Sequence, residues 1–318
     1  MTKVINSYHP NFSGGIGDFL RGSLYLLDRC GELGYDFEID FKHHPINDYM
    51  YTDCEDVYHI ASIIDVEKVS ISKQSDLDNW VYENEDTLNS ILDKSKGVVA
   101  LSSLYSDIVS YQHKCEELEI EFDNIKYVEK FKVSESGKKF IRDNIKFSDQ
   151  IKSIERPDDY EVIHFRLGDR LTVKGLDKSF DKLPNFIQDN YNFQKFDINF
   201  EDLLEICLKH VDQSKHKNLI VMSDSNDFKK YVIDNNTDER IIVTHTHSSH
   251  TSKQPALICL TNFESTIKNE DMFYTALDIY TLSQSKRNTS YSVYSWGSGF
   301  VCWISKVFNV PLFLESLA

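Results

Sequence analysis

The chain has 318 residues, of which 41% are hydrophobic and 13% are aromatic, so it can bury a large core and form two domains of ordinary size. Its formal net charge of -16 argues against a nucleic-acid or anionic-membrane partner, because proteins bind those surfaces through clustered cations. The sequence has no leading signal-peptide pattern and no apolar run of roughly 18 residues or more, which predicts a protein without an integral membrane segment.

The six cysteines are far apart, lack CxxC spacing and mostly lie in apolar surroundings. This pattern predicts reduced packing thiols and a cytoplasmic location. They are Cys30, Cys54, Cys115, Cys207, Cys259 and Cys302.

A glycine-rich turn precedes the first predicted helix. Leucines recur at helical spacing from about Asp18 to Leu33, and Gly34 is a typical helix end. Gly15 and Gly17 would let the backbone approach a ligand closely, and the free N-H groups of the first turn favour an anion. A tight strand-to-helix turn without a ligand explains the same glycines, so both interpretations stand.

The next hundred residues predict alternating strands and helices. Tyr35 to Phe41 alternates polar and apolar residues as a strand does. Further short strands are expected at Val69–Ile71 and Gly97–Leu101, and polar helices at Asp76–Asp93 and Ser134–Phe147. The polar segment Ser148 to Asp159 contains a proline and is the best candidate for a linker. We therefore predict an N-terminal α/β domain over residues 1–155 and a second domain over residues 156–318.

The stretch Glu161 to Arg170, EVIHFRLGDR, is the most informative in the chain. Its apolar residues predict a strand buried on both faces, followed by polar groups where the strand leaves the sheet. Open α/β sheets bind ligands at that edge. Arg166 and Arg170 flank Gly168 and Asp169 there, and planar guanidinium groups are well suited to phosphate oxygens. The sequence therefore predicts a nucleoside-diphosphate site.

A long segment without firm periodicity runs from Arg170 to Phe200. It is either a lid that contacts the acceptor or a plain surface insertion. Strands and helices then alternate again, which predicts a Rossmann-like domain with a parallel sheet. The elements expected are a helix at Glu201–Val211, a strand at Asn218–Met222 ending in Ser223 and Asp224, a helix at Phe228–Ile233 and a strand at Ile241–Val243.

Three histidines, His245, His247 and His250, lie close together in THTHSSHTS. No carboxylate or cysteine lies within a few residues to complete a zinc set, so the pattern predicts a hydrophilic turn rather than a metal site.

The last stretch places small hydroxyl groups beside glycines. After a predicted helix at Asp271–Ser285, the segment YSVYSWGSGFVCW brings Ser292, Ser295 and Ser298 to the start of another helix at Phe300–Phe308. These hydroxyls and N-H groups can hold a second part of a diphosphate. Serines that cap a buried aromatic helix explain the same pattern.

Four of these stretches together resemble one family. GGIGDFLRGSLYLL, HFRLGDR, VMSDSNDF and DIYTLSQSKRNTSYSVYSW are similar, in this order, to motifs of the fucosyltransferase superfamily that uses GDP-fucose, especially its nodulation-type and core α-1,6 members. The resemblance implies a GT-B-like α/β fold in which two Rossmann-like domains face a central cleft.

The resemblance also implies roles for individual residues. Arg166 would bind the β-phosphate of the donor, His164 and Asp224 would help to hold the nucleoside, and Ser295 would meet the phosphate or the sugar. Gly15 and Gly17 would face the donor from the other domain, while Asp278 and Ser283 would support their helix. The complete predicted donor-binding set is Gly15, Gly17, Arg21, His164, Asp169, Arg170, Ser223, Asp224, Ser292, Ser295 and Trp296, with Arg166 and Asp18 as catalytic residues.

Two departures from the family pattern matter. Leu167 stands where the family has a second arginine, so another residue, Arg170 or Arg21, must supply one phosphate contact. Lys174 stands where the core-type enzymes have a glutamate, so the general base is not assigned by analogy. Asp18, in the glycine-rich turn, is our candidate for a base or sugar-positioning residue. The competing interpretation is that Asp18 only caps its helix.

The resemblance implies an inverting transfer of fucose from GDP-fucose, the donor substrate, to a glycan acceptor, without a metal or other cofactor. Two alternatives remain open. One is a GT-B transferase that uses another nucleotide sugar, and the other is a nucleotide- or glycan-binding protein that has lost catalysis, consistent with Leu167 and Lys174.

Overall fold

The structure is a computed structural model that describes residues 3–8, 15–34, 36–42, 44–54, 98–101, 134–167, 199–248, 269–293 and 297–317. The strand expected at Val69–Ile71, the helix expected at Asp76–Asp93 and the proposed lid after Arg170 lie outside these ranges.

A three-stranded parallel sheet forms the N-terminal part. Its strands are β1 (Lys3–Ser7), β2 (Asp36–Asp40) and β4 (Val98–Leu101), in the spatial order β2-β1-β4. Helix α1 (Ile16–Leu33) connects β1 to β2 and ends at Gly34, which has a φ of 70°. That left-handed conformation is the one glycine adopts without a steric penalty. The predicted helix, its end and the two predicted strands are confirmed.

Shorter elements follow the N-terminal sheet. They are a 3-10 helix (Pro45–Asp48), β3 (Met50–Tyr51), α2 (Glu135–Asn144), β5 (Lys146–Phe147), which pairs antiparallel with β3, and α3 (Asp149–Lys152). The start of the expected linker is therefore packed structure. The Ser148 amide donates to the carbonyl of Tyr49 at 2.9 Å, and Ile151 is fully buried.

A five-stranded parallel sheet forms the C-terminal part, with the spatial order β10-β9-β6-β7-β8. Its strands are β6 (Tyr160–Arg166), β7 (Asn218–Ser223), β8 (Ile241–Ile242), β9 (Asn288–Ser292) and β10 (Leu312–Ser316). The chain adds β7 and β8 on one side of β6, and then places β9 and β10 on the other side. This order is that of a doubly wound, Rossmann-like sheet.

Within the described ranges, four helices cover the two faces of this sheet. They are α4 (Phe200–Gln213), α5 (Asn226–Asn235), α6 (Asn269–Gln284) and α7 (Gly299–Phe308). Ile163 and Phe165 of β6 pack with α4 and α5, whereas Val162 packs with α6 and α7. Because successive side chains of a strand point to opposite faces, this alternation is that of a strand buried on both sides.

Strand β9 is an element that the sequence did not predict. Its five residues are polar apart from Tyr291, and four of them are buried. Asn288 shows how they are satisfied, since its amide group donates to the Leu282 carbonyl at 3.2 Å and the Ser305 hydroxyl at 2.8 Å. Burial of polar side chains is tolerated where each has a hydrogen-bonding partner, so hydrophobic periodicity gives no signal for this strand.

Apolar side chains from both halves of the chain share one core. The cluster that α6 and α7 form on the C-terminal sheet also includes Ile16, Phe19 and Leu20 of α1 and Phe37 of β2. The α/β, GT-B-like expectation is thus confirmed in that two parallel α/β sheets pack together through helices. The boundary near residue 155 stays a prediction.

Two further sequence-based expectations bear on the described residues. Cys30, Cys54, Cys207 and Cys302 are buried free thiols, as predicted for these four. In the same parts of the chain, every helix is too short or too polar to cross a membrane.

Candidate functional site

The candidate site lies at the carboxyl ends of β6 and β9. His164 and Arg166 of β6 are in register with Ser290 and Ser292 of β9. The chain places β7 and β8 on one side of β6 and then places β9 and β10 on the other side. The connections that follow β6 and β9 therefore run in opposite directions. Such a switch point leaves a crevice above the strand ends, where α/β sheets bind ligands.

Arg166 lies at the end of β6, partly exposed, and is held by a carboxylate. Its Nη1 donates to Asp224 Oδ2 at 2.5 Å, and the amide of Leu167 donates to Asp224 Oδ1 at 2.8 Å. The side chains are 24% and 13% exposed, respectively. Asp224 therefore fixes the direction of a guanidinium that is still accessible from the crevice. The resemblance assigned Asp224 to the nucleoside, and that contact stays a prediction, whereas in the structure its carboxylate contacts Arg166.

His164 is buried directly beside this pair. Its Nδ1 lies 3.3 Å from the hydroxyl of Ser290. Burial lowers the pKa of His164 to about 4, an effect that the nearby Asp224 carboxylate opposes and Arg166 reinforces. The imidazole is therefore neutral at pH 7, and it presents one donor and one acceptor nitrogen rather than a positive charge.

One predicted site residue, Ser223, and one departure from the family pattern, Leu167, have structural contacts. The hydroxyl of Ser223 donates to the carbonyl of Phe165 at 2.9 Å and so ties the ends of β7 and β6 together. Leu167 is buried in the core beneath α4 and α5, on the opposite face from Arg166. An arginine at position 167 would start from this apolar side of the sheet, which explains why leucine is tolerated there.

The N-termini of two helices meet beside the strand ends. Gly17, in the first turn of α1, packs so closely on α7 that a Cβ atom would lie 2.5 Å from the carbonyl oxygen of Gly299. The N-cap residues Gly15 and Ser298 supply no side-chain hydrogen bond to their helices. Each helix start carries roughly half a positive charge, so the junction favours an anion.

Ring contacts connect this junction with β6. Phe300, in the first turn of α7, lies with its ring centroid 6.4 Å from that of His164. Arg21 follows Gly17 by one turn of α1, and its side chain is buried. Residues one turn apart share a helix face, so Arg21 lies on the side of α1 that faces α7. The first turn of α1, the end of β6 and the first turn of α7 are therefore neighbours.

Asp18 is the third residue of α1. The N-cap of the helix is Gly15, and the alternative in which Asp18 only caps its helix stays a prediction. The predicted role of Asp18 as a base or sugar-positioning residue stays a prediction. Asp169, Arg170, Ser295 and Trp296 lie outside the described residues, and their predicted donor contacts stay predictions as well.

The loop after β8 is more ordered than a hydrophilic turn needs to be. His245 Nε2 lies 2.8 Å from Asp278 Oδ1 of α6. The ring of His247 stacks on Tyr274, with centroids 4.3 Å apart and planes 12° apart. Within the ranges that the structure describes, no group of three or more His, Cys, Asp or Glu residues is placed to hold a metal ion. His250 lies outside those ranges.

Lys229 is a residue that sequence analysis missed. It lies on α5 and is only 2% exposed, and its ammonium group donates to the carbonyl of His247 at 2.5 Å and the hydroxyl of Ser248 at 2.7 Å. That hydroxyl in turn donates to the carbonyl of Ser223 at 2.8 Å. In the sequence Lys229 stands beside Lys230 on a polar helix, and no local signal separates the buried lysine from the exposed one.

Comparison with known proteins gives a likeness of fold. No protein-family model and no curated protein sequence matches the chain. Among solved structures, the chain is similar to fucosyltransferase NodZ from Bradyrhizobium, with 12% identity over 98% of this chain and 94% of that one and a TM-score of 0.46. A NodZ α-1,6-fucosyltransferase crystal soaked with GDP-fucose gives 12% identity, the same coverage and a TM-score of 0.45.

POFUT1 in its apo form is similar at 10% identity over 99% of this chain and 97% of that one, with a TM-score of 0.39. At these identities and TM-scores, the argument for function has to come from the residues of the site.

Proposed function

We propose that this chain is an inverting glycosyltransferase that uses a nucleoside-diphosphate sugar, with GDP-fucose as the first candidate donor and a glycan hydroxyl as acceptor. The motif order of the sequence motivates the choice of GDP-fucose. The choice of a diphosphate rests on the geometry of the described residues, and the two parts of the proposal are tested separately below.

One observation carries the proposal. Arg166 lies at the end of β6, at the switch point of a parallel sheet, and Asp224 fixes its guanidinium group. The first turn of α7 lies beside His164 of the same strand and packs on the first turn of α1. In a chain with a net charge of -16, a site for an anion has to be built from local groups of this kind. A pyrophosphate carries negative charge on two adjacent phosphate groups. Backbone N-H groups and the planar guanidinium group of an arginine are its usual partners.

The proposed reaction breaks the bond between the sugar and the β-phosphate. Negative charge grows on the leaving diphosphate, and fixed donors that already point at it lower the barrier. Arg166, oriented by Asp224, and the two helix starts would supply this stabilisation, so the proposal does not require a metal. The neutral His164 would offer hydrogen bonds but no positive charge.

The acceptor hydroxyl attacks the sugar from the opposite side and must lose a proton. A carboxylate or a water relay has to take it. Asp18 remains our candidate, because α1 brings its first turn to the junction with α7. The contact of Asp224 with a nucleoside, the two-domain division near residue 155 and the cytoplasmic location are kept as parts of the proposal.

A ligand panel tests the proposal. Thermal unfolding would be followed with GDP, GDP-fucose, GDP-mannose and UDP-sugars, each at matched ionic strength. We expect GDP and GDP-fucose to raise the unfolding temperature most, because a ligand that binds only the folded state stabilises it. Stabilisation by UDP-sugars alone would point to another donor. No stabilisation by any diphosphate would refute the site.

Donor hydrolysis separates a transferase from a binding protein. Release of free fucose from GDP-fucose would be measured over hours with the same samples and with EDTA present. Turnover that survives EDTA supports metal-independent chemistry. Binding of GDP-fucose without hydrolysis, and without transfer to any glycan in a screened acceptor set, would favour the non-catalytic alternative.

A further inference from the structure

We propose that Lys229 is a positioning residue whose buried ammonium group balances Asp224 and Asp278 behind the crevice, and that binding of a nucleoside diphosphate requires Lys229 in its protonated form. This inference rests on the proposed function, because it concerns the same site.

The first step is the geometry of the lysine. Lys229 is 2% exposed, and its ammonium group makes two hydrogen bonds to the loop after β8, at His247 and Ser248. Ser248 is bonded to the end of β7, immediately before Asp224. Through this chain of contacts, Lys229 holds the loop against the strand end that carries the partner of Arg166. Long buried cations are rare unless they are paired, so this contact set calls for an explanation.

The second step is the charge balance around the lysine. Asp224 after β7 and Asp278 on α6 both favour its charged form, whereas burial opposes it. Among the described residues, the other ionisable groups that face this region are Arg166 and His164 on β6 and His245 and His247 in the loop after β8. With Lys229 protonated, two cations face two carboxylates beside a neutral His164. Loss of its proton leaves Arg166 alone against two carboxylates.

The third step is the consequence for an anionic ligand. Burial lowers the pKa of Lys229 to about 8, because the attraction of Asp278 and Asp224 does not offset the loss of solvation. Loss of the proton from Lys229 removes one positive charge beside the site, so a dianionic or trianionic ligand binds the protonated form of the protein preferentially. Reciprocal linkage then requires the bound ligand to raise the pKa of Lys229.

Calorimetric titration with GDP from pH 6.5 to pH 9.5 at constant ionic strength tests the inference. For the wild type we expect the affinity to fall by roughly fourfold between pH 7.5 and pH 9, as the protonated fraction of the lysine falls and the neutral form binds about tenfold more weakly. The terminal phosphate of GDP is already ionised over most of this range, since its last pKa is about 6. Any titration of the guanine base of GDP over this range affects the wild type and all variants equally.

Two variants separate the contribution of Lys229. Lys229→Met keeps the length of the side chain without its charge, and we expect roughly tenfold weaker GDP binding at pH 7 and loss of the additional alkaline decline. Lys230→Met is the matched control, because Lys230 is the exposed neighbour on the same helix. It should bind GDP with the wild-type affinity and pH profile. A wild-type pH profile in Lys229→Met would overturn the inference.

A measurement on the wild type alone covers the case in which Lys229→Met does not fold. The pKa of Lys229 would be followed through its ¹³Cε resonance, assigned with Lys229→Arg, with and without saturating GDP. We expect GDP to raise this pKa by roughly one unit, in keeping with tenfold coupling. An unchanged pKa in the presence of bound GDP would also refute the inference. Failure of the wild type to bind GDP at any pH would refute GDP-fucose as the donor, and failure to bind any nucleoside diphosphate would refute the proposed function itself.

Discussion

Arg166 has two features that a phosphate-binding arginine needs, a carboxylate that anchors its guanidinium group and a partly exposed side chain. The anchor is Asp224, which also accepts a hydrogen bond from the amide of Leu167 and is therefore held in place itself. An arginine with a fixed plane loses less conformational entropy when it binds a phosphate than a mobile lysine does. The ion pair is thus compatible with a role in binding, provided that the ligand approaches from the crevice.

Arg166→Ala should abolish sugar transfer and weaken GDP binding by roughly 100-fold or more, because a charge-assisted contact to the phosphate is lost. The fold should survive, since the side chain lies at the end of its strand. Arg240→Ala is the control, because Arg240 pairs with Asp238 and Asp212 and its side chain is 43% exposed. GDP titration and a transfer assay would be used. Near-normal turnover in Arg166→Ala would refute the phosphate role.

His164 should make the stability of the protein depend on acid. Its pKa is about 4 in the folded protein and 6.5 otherwise, so the unfolded chain binds more protons between these values. The free energy of unfolding should therefore fall as the pH drops from 6.5 to 4, by about 3 kcal/mol from this residue. Urea unfolding of wild type and His164→Gln over this range measures the difference. Parallel pH profiles would contradict the buried neutral imidazole.

At the scale of elements, the junction between α1 and α7 depends on two glycines. Gly17 brings the first turn of α1 into contact with the backbone of Gly299, and the two helix starts reinforce each other as an anion site only at that distance. The same α1 carries Arg21 one turn later. The glycine-rich turn is therefore more than a connector, since it sets the spacing of two helices.

Gly17→Ala should destabilise the protein, although an alanine in a helix is usually favourable. The added Cβ would lie 2.5 Å from the Gly299 carbonyl oxygen, and we expect a loss of about 2 kcal/mol in the free energy of unfolding together with weaker GDP binding. Gly31→Ala in the same helix has nothing within 4 Å of its Cβ and should gain about 0.5–1 kcal/mol. Denaturant unfolding checks both. Equal effects of the two changes would argue against the close contact.

At the scale of the whole molecule, the two sheets share apolar contacts through several helices. The ring of Phe147 lies 4.9 Å from that of Tyr280, and the ring of Tyr49 lies 5.4 Å from that of Phe273. The buried residues of α1 join the same core. The face of α6 and α7 that these side chains cover is therefore an internal surface rather than a free domain face.

A fragment of residues 156–318 should consequently be unstable when it is produced alone. Separation would expose the apolar face that Phe147, Tyr49 and α1 cover, and burial of that face contributes roughly 25 cal/mol for each Å² of apolar surface. We expect low solubility and strong binding of a hydrophobic dye, which co-production of residues 1–155 should reverse. A soluble fragment with a cooperative unfolding transition would contradict this prediction and support autonomous domains.

The sequence by itself determined the features that depend on local order along the chain. The periodicity of α1, the buried run Val162, Ile163 and Phe165, and the alternation of strands with helices predicted the α/β fold, because burial on one face or two leaves a regular pattern. Polar residues directly after those strands located the crevice. The motif that contains Arg166 and the motif that contains Ser292, Ser295 and Ser298 were found in the same way.

Only the tertiary structure decided which of these groups meet. Strand β9 is polar apart from Tyr291, and its polar side chains can be buried because hydrogen bonds to distant residues pair them. Hydrophobic periodicity therefore does not predict this strand. Residues that are distant in the chain meet when Asp224 pairs with Arg166 and when Gly17 contacts Gly299. Distant contacts also decide that Lys229 is buried and Lys230 is not. Local propensity carries no information on such partners, because packing and desolvation select them when the sheets and helices assemble.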